Sequence, residues 1–242
     1  MPPKSQMKRR PVILKPNDRY AFVGKSGSGK TLGSVIVASE IIPPTLQEAK
    51  GWEAWAIDTK DDVDDIKRWH EWGYEDWDPF AKRNLLATVT KRQHSPRRLI
   101  RVPFTENDPE MTSAKVQALC NRAMQRSCVL LVIDEYSHVC PSSRNAGAGL
   151  RHVFQRGRGR NVGIIGCTQE PVDVPRQLLS QASHIFLFAL TYPNDIKRVQ
   201  EIYRPYVPPS DFGFFHSWID TPGLVQWQYY KNIGEWHAQL AA

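Results

Sequence analysis

Short apolar runs alternate with amphipathic stretches along most of the chain. The runs RYAFV, AWAI, VLLVI, VGIIGC and HIFLFAL each have the length of one β-strand, and past its first residue none holds a charged side chain. Strands that are apolar on both sides are typical of a parallel sheet covered by helices. Between them, a stretch such as TSAKVQALCNRAMQRS places apolar residues on one helical face after a Thr-Ser start. The pattern predicts an α/β fold with a mainly parallel central sheet flanked by helices.

The two ends of the chain depart from this alternation. Residues 1–19 contain four prolines and six lysines or arginines against one acidic residue, which predicts a flexible basic arm. The arm either contacts a nucleic acid or a docking partner, or is simply solvated. Residues 206–242 contain two aromatic runs around a Thr-Pro-Gly turn, which predicts a β-hairpin. We expect this hairpin to pack on a core formed by residues 20–205.

The stretch GKSGSGKT, residues 24–31, lies between the first predicted strand and a predicted helix. It fits the phosphate-binding loop pattern, in which glycines let several backbone N–H groups point at one anion. Lys30 would reach the β- and γ-phosphates, and the hydroxyl of Thr31 would ligate Mg²⁺. The helix dipole favours the same anion. The residues predicted to bind the nucleotide are Gly24, Lys25, Ser26, Gly27, Ser28, Gly29, Lys30, Thr31 and Leu32.

Polar residues follow two of the apolar strands. Asp134 and Glu135 come directly after VLLVI. In nucleotide hydrolysis an aspartate at this place holds Mg²⁺, directly or through water, and a glutamate polarises the attacking water. Gln169 closes the strand VGIIGCT, and parallel strands end on one rim of the sheet. We therefore predict that Thr31 and Asp134 bind the metal, that Glu135 is catalytic, and that Gln169 contacts the γ-phosphate or the water.

Three other features leave alternatives open. The run Asp61, Asp62, Asp64 and Asp65 suggests either a metal site or, as we favour, a helix N-terminus whose dipole suits carboxylates. The tryptophan-rich segment 69–80 is a packing cluster, an oligomer contact or a stacking platform for bases. Four cysteines without a C-x-x-C pair are metal ligands, disulfide partners or, as we favour, small buried side chains, which indicates a reducing, cytoplasmic setting.

Basic residues are concentrated before the strand VGIIGCT. The segment RHVFQRGRGR contains Arg151, Arg156, Arg158 and Arg160, a cluster that is costly to bury in one subunit. An arginine could cross a subunit boundary to the γ-phosphate of a neighbour, or the cluster could bind a phosphodiester backbone, or it could be solvated. The net charge of +7 favours an anionic partner, for which a nucleic acid is the obvious candidate.

Taken together, GKSGSGKT, AIDTK, LLVIDEY and GRGRNVGIIGCTQEP resemble the motifs of the FtsK–HerA superfamily of ring-forming, DNA-pumping P-loop ATPases with a RecA-like fold. The likeness covers roughly residues 20–200. It implies that ATP is the nucleotide. It also implies that Arg158, eleven residues before Gln169, acts on a neighbouring subunit, with Arg156 and Arg160 as reserves. Thr59 replaces the proline that the family has in the second strand motif.

A basic core with no predicted membrane span and no large added domain is similar to the genome-packaging ATPases of tailless, membrane-containing double-stranded DNA viruses. That resemblance implies a homo-oligomeric ring, a hexamer, around double-stranded DNA. Capsid or portal-vertex proteins would be further partners, in the host cytoplasm or at the packaging vertex of the virion. The loop from Arg144 to Gly149 and the basic arm are candidates for the channel lining or for capsid docking. The alternatives are a HerA-like helicase or translocase, a Zot-like phage morphogenesis ATPase, and an ATP-binding adaptor with little turnover.

Overall fold

A computed structural model describes residues 13–80, 95–140, 142, 144–202, 217–220 and 228–230. The first twelve residues of the predicted basic arm lie outside the described residues, as do most residues of segment 206–242.

The described elements alternate between strands and helices as the apolar pattern predicts. In chain order they are β1 (Arg19–Val23), α1 (Lys30–Ile41), β2 (Glu53–Asp58), α2 (Val63–Glu71), β3 (Glu75–Asp76), β4 (Arg97–Arg101), α3 (Pro109–Arg126), β5 (Val129–Ile133), α4 (Ala148–Arg156), a 3₁₀ turn (Arg158–Arg160), β6 (Val162–Thr168), α5 (Arg176–Ser180), β7 (His184–Leu187), α6 (Pro193–Ile202), β8 (Ser217–Asp220) and β9 (Gln228–Tyr230).

These strands form one sheet in the order β3-β4-β2-β5-β6-β1-β7-β8-β9. The pairings from β3 across to β7 are all parallel. β8 pairs with β7 and with β9 in antiparallel fashion. The mainly parallel α/β sheet is therefore confirmed, and the predicted C-terminal hairpin is present as β8 and β9 at the edge next to β7.

Two apolar layers cover the sheet because successive strand residues point to opposite faces. In β5 the odd-numbered residues pack with α3 and α4 on one face, whereas Leu130 and Val132 pack with α1 on the other. Both layers exclude solvent, and all five residues of β5 are buried. This double burial explains why the strand sequence shows no polar alternation.

The order of the central strands determines where the polar strand ends meet. β6 lies between β5 and β1, with Ile133 opposite Gly166 and Thr168 opposite Val23. β2 lies on the other side of β5, with Ile57 opposite Ile133. The residues that follow β1, β2, β5 and β6 therefore come together at one rim of the sheet.

Capping contacts explain the starts of two helices. Asp62 caps α2 by accepting hydrogen bonds from the N–H groups of Asp64 and Asp65, so the acidic run begins a helix. The described residues contain no group of three His, Cys, Asp or Glu that could hold a metal. Helix α3 starts earlier than its Thr-Ser pair predicted, because Asp108 accepts from the N–H of Met111 and a proline occupies the first helical position.

The tryptophan-rich segment packs locally. Trp69 is 1% exposed and meets the ring of Tyr74 edge-on, and Trp77 meets Trp55 of β2 in the same way. These contacts support the packing-cluster alternative. None of the described cysteines forms a disulfide. No helix among the described residues is long and apolar enough to cross a bilayer.

Candidate active site

The loop between β1 and α1 has the curled backbone that an anion cradle requires. Gly27 and Gly29 have φ values of 68° and 100°, in the left-handed region that favours glycine. Gly24 donates its N–H to the carbonyl oxygen of Thr168, and a Cβ at this glycine would lie 2.6 Å from Cβ of Phe188. The loop is therefore fixed against β6 and β7 and starts α1 at Lys30.

Lys30 lies inside this curl. Its ammonium donates to the carbonyl oxygen of Lys25 at 2.7 Å, and the residue is 4% exposed. Burial removes water from the ammonium and lowers the pKa of Lys30 to about 8. A cation held in this way by a loop carbonyl lacks a full negative partner, which a phosphate would supply.

Thr31 and Asp134 form the oxygen pair predicted to hold the metal. The hydroxyl of Thr31 donates to Oδ1 of Asp134 at 3.1 Å, and Asp134 is fully buried. Hydroxyl and carboxylate oxygens are ligands that Mg²⁺ prefers, and Mg²⁺ usually keeps several waters and needs few protein ligands. This donor pair therefore fits Mg²⁺.

Glu135 lies one residue further on and is 2% exposed. Its carboxylate accepts the N–H of Gln169 at 3.2 Å and the hydroxyl of Ser137 at 3.0 Å. Burial raises the pKa of Glu135, although the nearby ammonium groups of Lys60 and Lys30 oppose this. The carboxylate is thus oriented by the end of β6 and is more basic than a solvated glutamate.

The site also contains a lysine whose place after the second strand predicts that it lies on the ligand side of the sheet, without a specific chemical role. Lys60, two residues after β2, places its ammonium 2.9 Å from Oδ2 of Asp134. Burial disfavours this ammonium, but the Asp134 carboxylate outweighs burial and raises the pKa of Lys60. A lysine directly after the strand motif AIDT was the available signal.

An open cavity of about 480 Å³ lies over this rim. The cavity is lined by predicted residues of the phosphate loop, by Gln169, and by residues from the end of β2 to α2. The lining residues are Ser26, Gly27, Gly29, Lys30, Thr31, Leu32, Lys60, Asp61, Asp62, Asp65, Arg68 and Gln169. No sequence signal pointed to Arg68, which pairs with Asp65 at 2.6 Å. Residues of the phosphate loop and Gln169 therefore line one space. Asp134 and Glu135 adjoin it through their hydrogen bonds with Thr31 and Gln169.

The three candidate arginines lie elsewhere. Arg156 ends α4, and Arg158 and Arg160 belong to the 3₁₀ turn before β6. Gln169 follows the other end of that strand, whose seven residues span about 20 Å. The arginines are therefore at the rim of the sheet opposite the cavity.

Arg158 is held in place at this opposite rim. Its guanidinium donates to Oδ1 of Asp18 at 2.7 Å and to the hydroxyl of Ser183 at 2.8 Å, and its side chain remains 53% exposed. Burial alone would raise the pKa of Asp18, but hydrogen bonding to His184 and the charge of Arg158 lower it. Arg156 and Arg160 are exposed, and neither forms an ion pair with another described residue.

Solved structures share this architecture. The genome-packaging NTPase B204 of Sulfolobus turreted icosahedral virus 2, in complex with AMPPCP, superposes with a TM-score of 0.60 at 15% identity, over 90% of this chain and 99% of B204. VirB4 of Thermoanaerobacter pseudethanolicus gives 0.58 at 10% identity, over 88% of each chain. The chain therefore has the fold of these two proteins.

That fold also extends to a much longer protein. The cytoplasmic domain of the type VII secretion ATPase EccC of Thermomonospora curvata gives a TM-score of 0.51 at 12% identity, over 92% of this chain and 24% of that one. No protein-family model and no curated protein sequence matches the chain. The likeness is therefore one of structure, and it confirms the predicted fold.

Proposed function

We propose that this protein is an ATPase motor that moves double-stranded DNA and packages a viral genome into a preformed capsid. Its subunits would act as a homo-oligomeric ring, predicted to be a hexamer. The observation that carries the proposal is the division of the predicted machinery between two rims. Residues of the phosphate loop and Gln169 line one cavity, and Asp134 and Glu135 adjoin it through hydrogen bonds with Thr31 and Gln169. The arginines lie about 20 Å away.

In this reaction Lys30 and the N–H groups of the loop bind the phosphates of ATP. Glu135 orients a water molecule and accepts its proton as the water oxygen bonds to the γ-phosphorus. The bond from that phosphorus to the bridging oxygen breaks, and ADP leaves with the bridging oxygen. Mg²⁺ held by Thr31 and Asp134 would neutralise charge on the β- and γ-phosphates.

Division of the site between subunits explains the position of the arginines. Within one chain, no side chain at the far end of β6 reaches the cavity across about 20 Å. In a ring, the same rim would face the cavity of the next subunit. Arg158 is the first candidate from its spacing to Gln169. Asp18 and Ser183 hold its guanidinium, and its side chain is 53% exposed, which supports this choice. A positioned arginine of this kind is worth about 10³–10⁵ in rate where it has been measured.

Replacing the proposed base tests the chemistry. Glu135→Gln should lower ATP turnover by about 10²–10⁴ while ATP binding persists. Glu170→Gln is the matched control, since Glu170 is an exposed carboxylate one residue beyond Gln169, and it should stay within about twofold of wild type. Turnover at the wild-type rate in Glu135→Gln would refute the catalytic assignment. A wild-type protein that binds ATP but does not hydrolyse it, even with DNA, would support the adaptor alternative.

Mixed subunits test the shared site. Lys30→Ala and Arg158→Ala should each be inactive alone, and mixing them should restore part of the DNA-stimulated ATPase activity by pairing an intact loop with an intact arginine. Arg156→Ala and Arg160→Ala are tested in the same way as reserves. If no arginine variant complements Lys30→Ala at any ratio, the shared site is wrong.

DNA movement and packaging need separate assays. Wild type, but not Glu135→Gln, should displace a third strand from a DNA triplex in the presence of ATP. With empty capsids of the source virus, it should also make DNA resistant to nuclease. Displacement without protection would favour a HerA-like translocase.

A further inference from the structure

Lys60 occupies the part of the cavity where the metal is expected. Its ammonium lies 2.9 Å from Oδ2 of Asp134, and the two side chains are 18% and 1% exposed. The other carboxylate oxygen of Asp134 takes the hydroxyl of Thr31. Both groups that fit Mg²⁺ are therefore engaged within a triad of Thr31, Asp134 and Lys60.

The buried position of Asp134 explains why a cation is needed there. A carboxylate that is withdrawn from water and left unpaired is strongly destabilising. Lys30, the other lysine of the cavity, directs its ammonium at the carbonyl oxygen of Lys25. Among the described residues, Lys60 is thus the one whose ammonium pairs directly with Asp134.

We propose that Lys60 is a resident cation of the metal site, which pairs with Asp134 in the nucleotide-free protein and is displaced from it when Mg²⁺ and nucleotide bind. An ammonium at 2.9 Å from one carboxylate oxygen would repel a divalent ion at the other. Lys60 lines the same cavity as the phosphate loop, so the displaced ammonium stays within reach of phosphate oxygens. This role rests on the nucleotide binding proposed above.

The competing explanation is that the Lys60–Asp134 ion pair only stabilises the fold. β2 and β5 are neighbours in the sheet, and the Lys60–Asp134 pair also connects the segments that follow them. Removing an ion pair of this purely structural kind would lower the free energy of unfolding, but it would not change the affinity for a metal ion. The dependence of nucleotide binding on Mg²⁺ separates the two explanations.

The first measurement titrates Mg²⁺ against binding of a fluorescent, non-hydrolysable ATP analogue. In Lys60→Met the Mg²⁺ concentration at half-maximal binding should fall at least about tenfold. Lys60→Arg keeps the charge and should stay near wild type. Arg68→Met is the matched control, because it removes a cation from the same cavity that pairs with Asp65 rather than Asp134, and it should shift the midpoint by less than about twofold.

The second measurement uses the metal alone. MgCl₂ without nucleotide should raise the Tm of Lys60→Met and leave that of wild type nearly unchanged, because only the variant has a free carboxylate for the ion. If Lys60→Met does not fold, Lys60→Gln replaces it, because its amide can still donate to Asp134 and support folding. It carries the same expectation, since a neutral amide does not repel the ion. Failure of both variants to fold would assign Lys60 to the fold and overturn the proposal.

Two binding results would also overturn it. One is an unchanged Mg²⁺ midpoint in Lys60→Met, and the other is an equal shift in Arg68→Met, which would show a general charge effect. A wild-type protein that binds no nucleotide would instead refute the proposed ATPase. The thermal shift with MgCl₂ alone would still test Lys60 in that case.

Discussion

The buried ammonium of Lys30 makes ATP affinity depend on pH in a direction that can be calculated. Burial lowers the pKa of Lys30 from 10.5 to about 8. A bound triphosphate places negative charge beside the ammonium, which restores the pKa to at least its ordinary value. The protonated lysine is the form that binds phosphate, so the free protein must take up a proton wherever Lys30 is neutral.

The size of the effect follows from these two pKa values. Between pH 7 and pH 9 the affinity for ATP should fall about tenfold, because the neutral fraction of Lys30 rises from about a tenth to about nine tenths. At pH 8 about half a proton should be taken up for each nucleotide bound. Below pH 7 Lys30 is protonated in both states, and its contribution to pH dependence disappears.

Calorimetry measures both quantities. Titration of a non-hydrolysable ATP analogue in buffers of different ionisation enthalpy gives affinity and proton uptake together. Lys30→Arg should abolish the uptake at pH 8, since a guanidinium does not deprotonate in this range. Lys25→Met should keep it, because the exposed Lys25 contributes only its carbonyl oxygen to the contact with Lys30. An affinity that is flat from pH 7 to pH 9 in wild type would refute the reasoning.

Two further predictions concern stability. Asp58 is buried, which raises its pKa to about 6, so its contribution to stability is complete below its unfolded pKa near 4 and is lost as pH rises through 6. The difference in unfolding free energy between Asp58→Asn and wild type should therefore shift by up to ~3 kcal/mol in favour of the variant between pH 4 and pH 7, as measured by urea titrations. The same difference at pH 4 and at pH 7 would contradict this. Arg97 is 6% exposed and donates to three backbone carbonyl groups. Arg97→Met should therefore lower the free energy of unfolding, measured by urea titration, by about 4 kcal/mol. Arg101→Met, at a 53% exposed side chain, should cost less than about 0.5 kcal/mol.

The parallel sheet and the phosphate loop could be predicted because their signals are local. A short, entirely apolar run such as VLLVI is typical of a strand buried on both faces of a covered parallel sheet. The loop motif predicts the backbone conformation of its own residues. The meeting of Gln169 with Glu135 could be predicted from one rule, that parallel strands end on a common rim. The start of α3 was wrong because a proline and the capping Asp108 extend the helix beyond its apolar pattern.

The arginines show what a motif cannot supply. Spacing along the chain selected Arg158, but spacing says nothing about the ion pair with Asp18, which lies 140 residues away in sequence. It also does not state which rim a residue occupies. Both facts depend on β6 running beside β1, with Arg19 opposite Ile164.

The two lysines of the cavity illustrate the same limit at the level of charge. Lys30 is buried and Lys60 is partly buried, yet burial lowers the pKa of Lys30 whereas Asp134 raises that of Lys60. The difference arises because β2 pairs with β5 in a register that sets Ile57 opposite Ile133, which brings the residues after β2 to Asp134. The ammonium of Lys30 instead donates to a carbonyl oxygen of its own loop. Lys30 therefore lacks an anionic partner, whereas Lys60 has Asp134. Under the proposals made above, phosphate would supply the partner of Lys30, and Mg²⁺ would compete with Lys60 for Asp134.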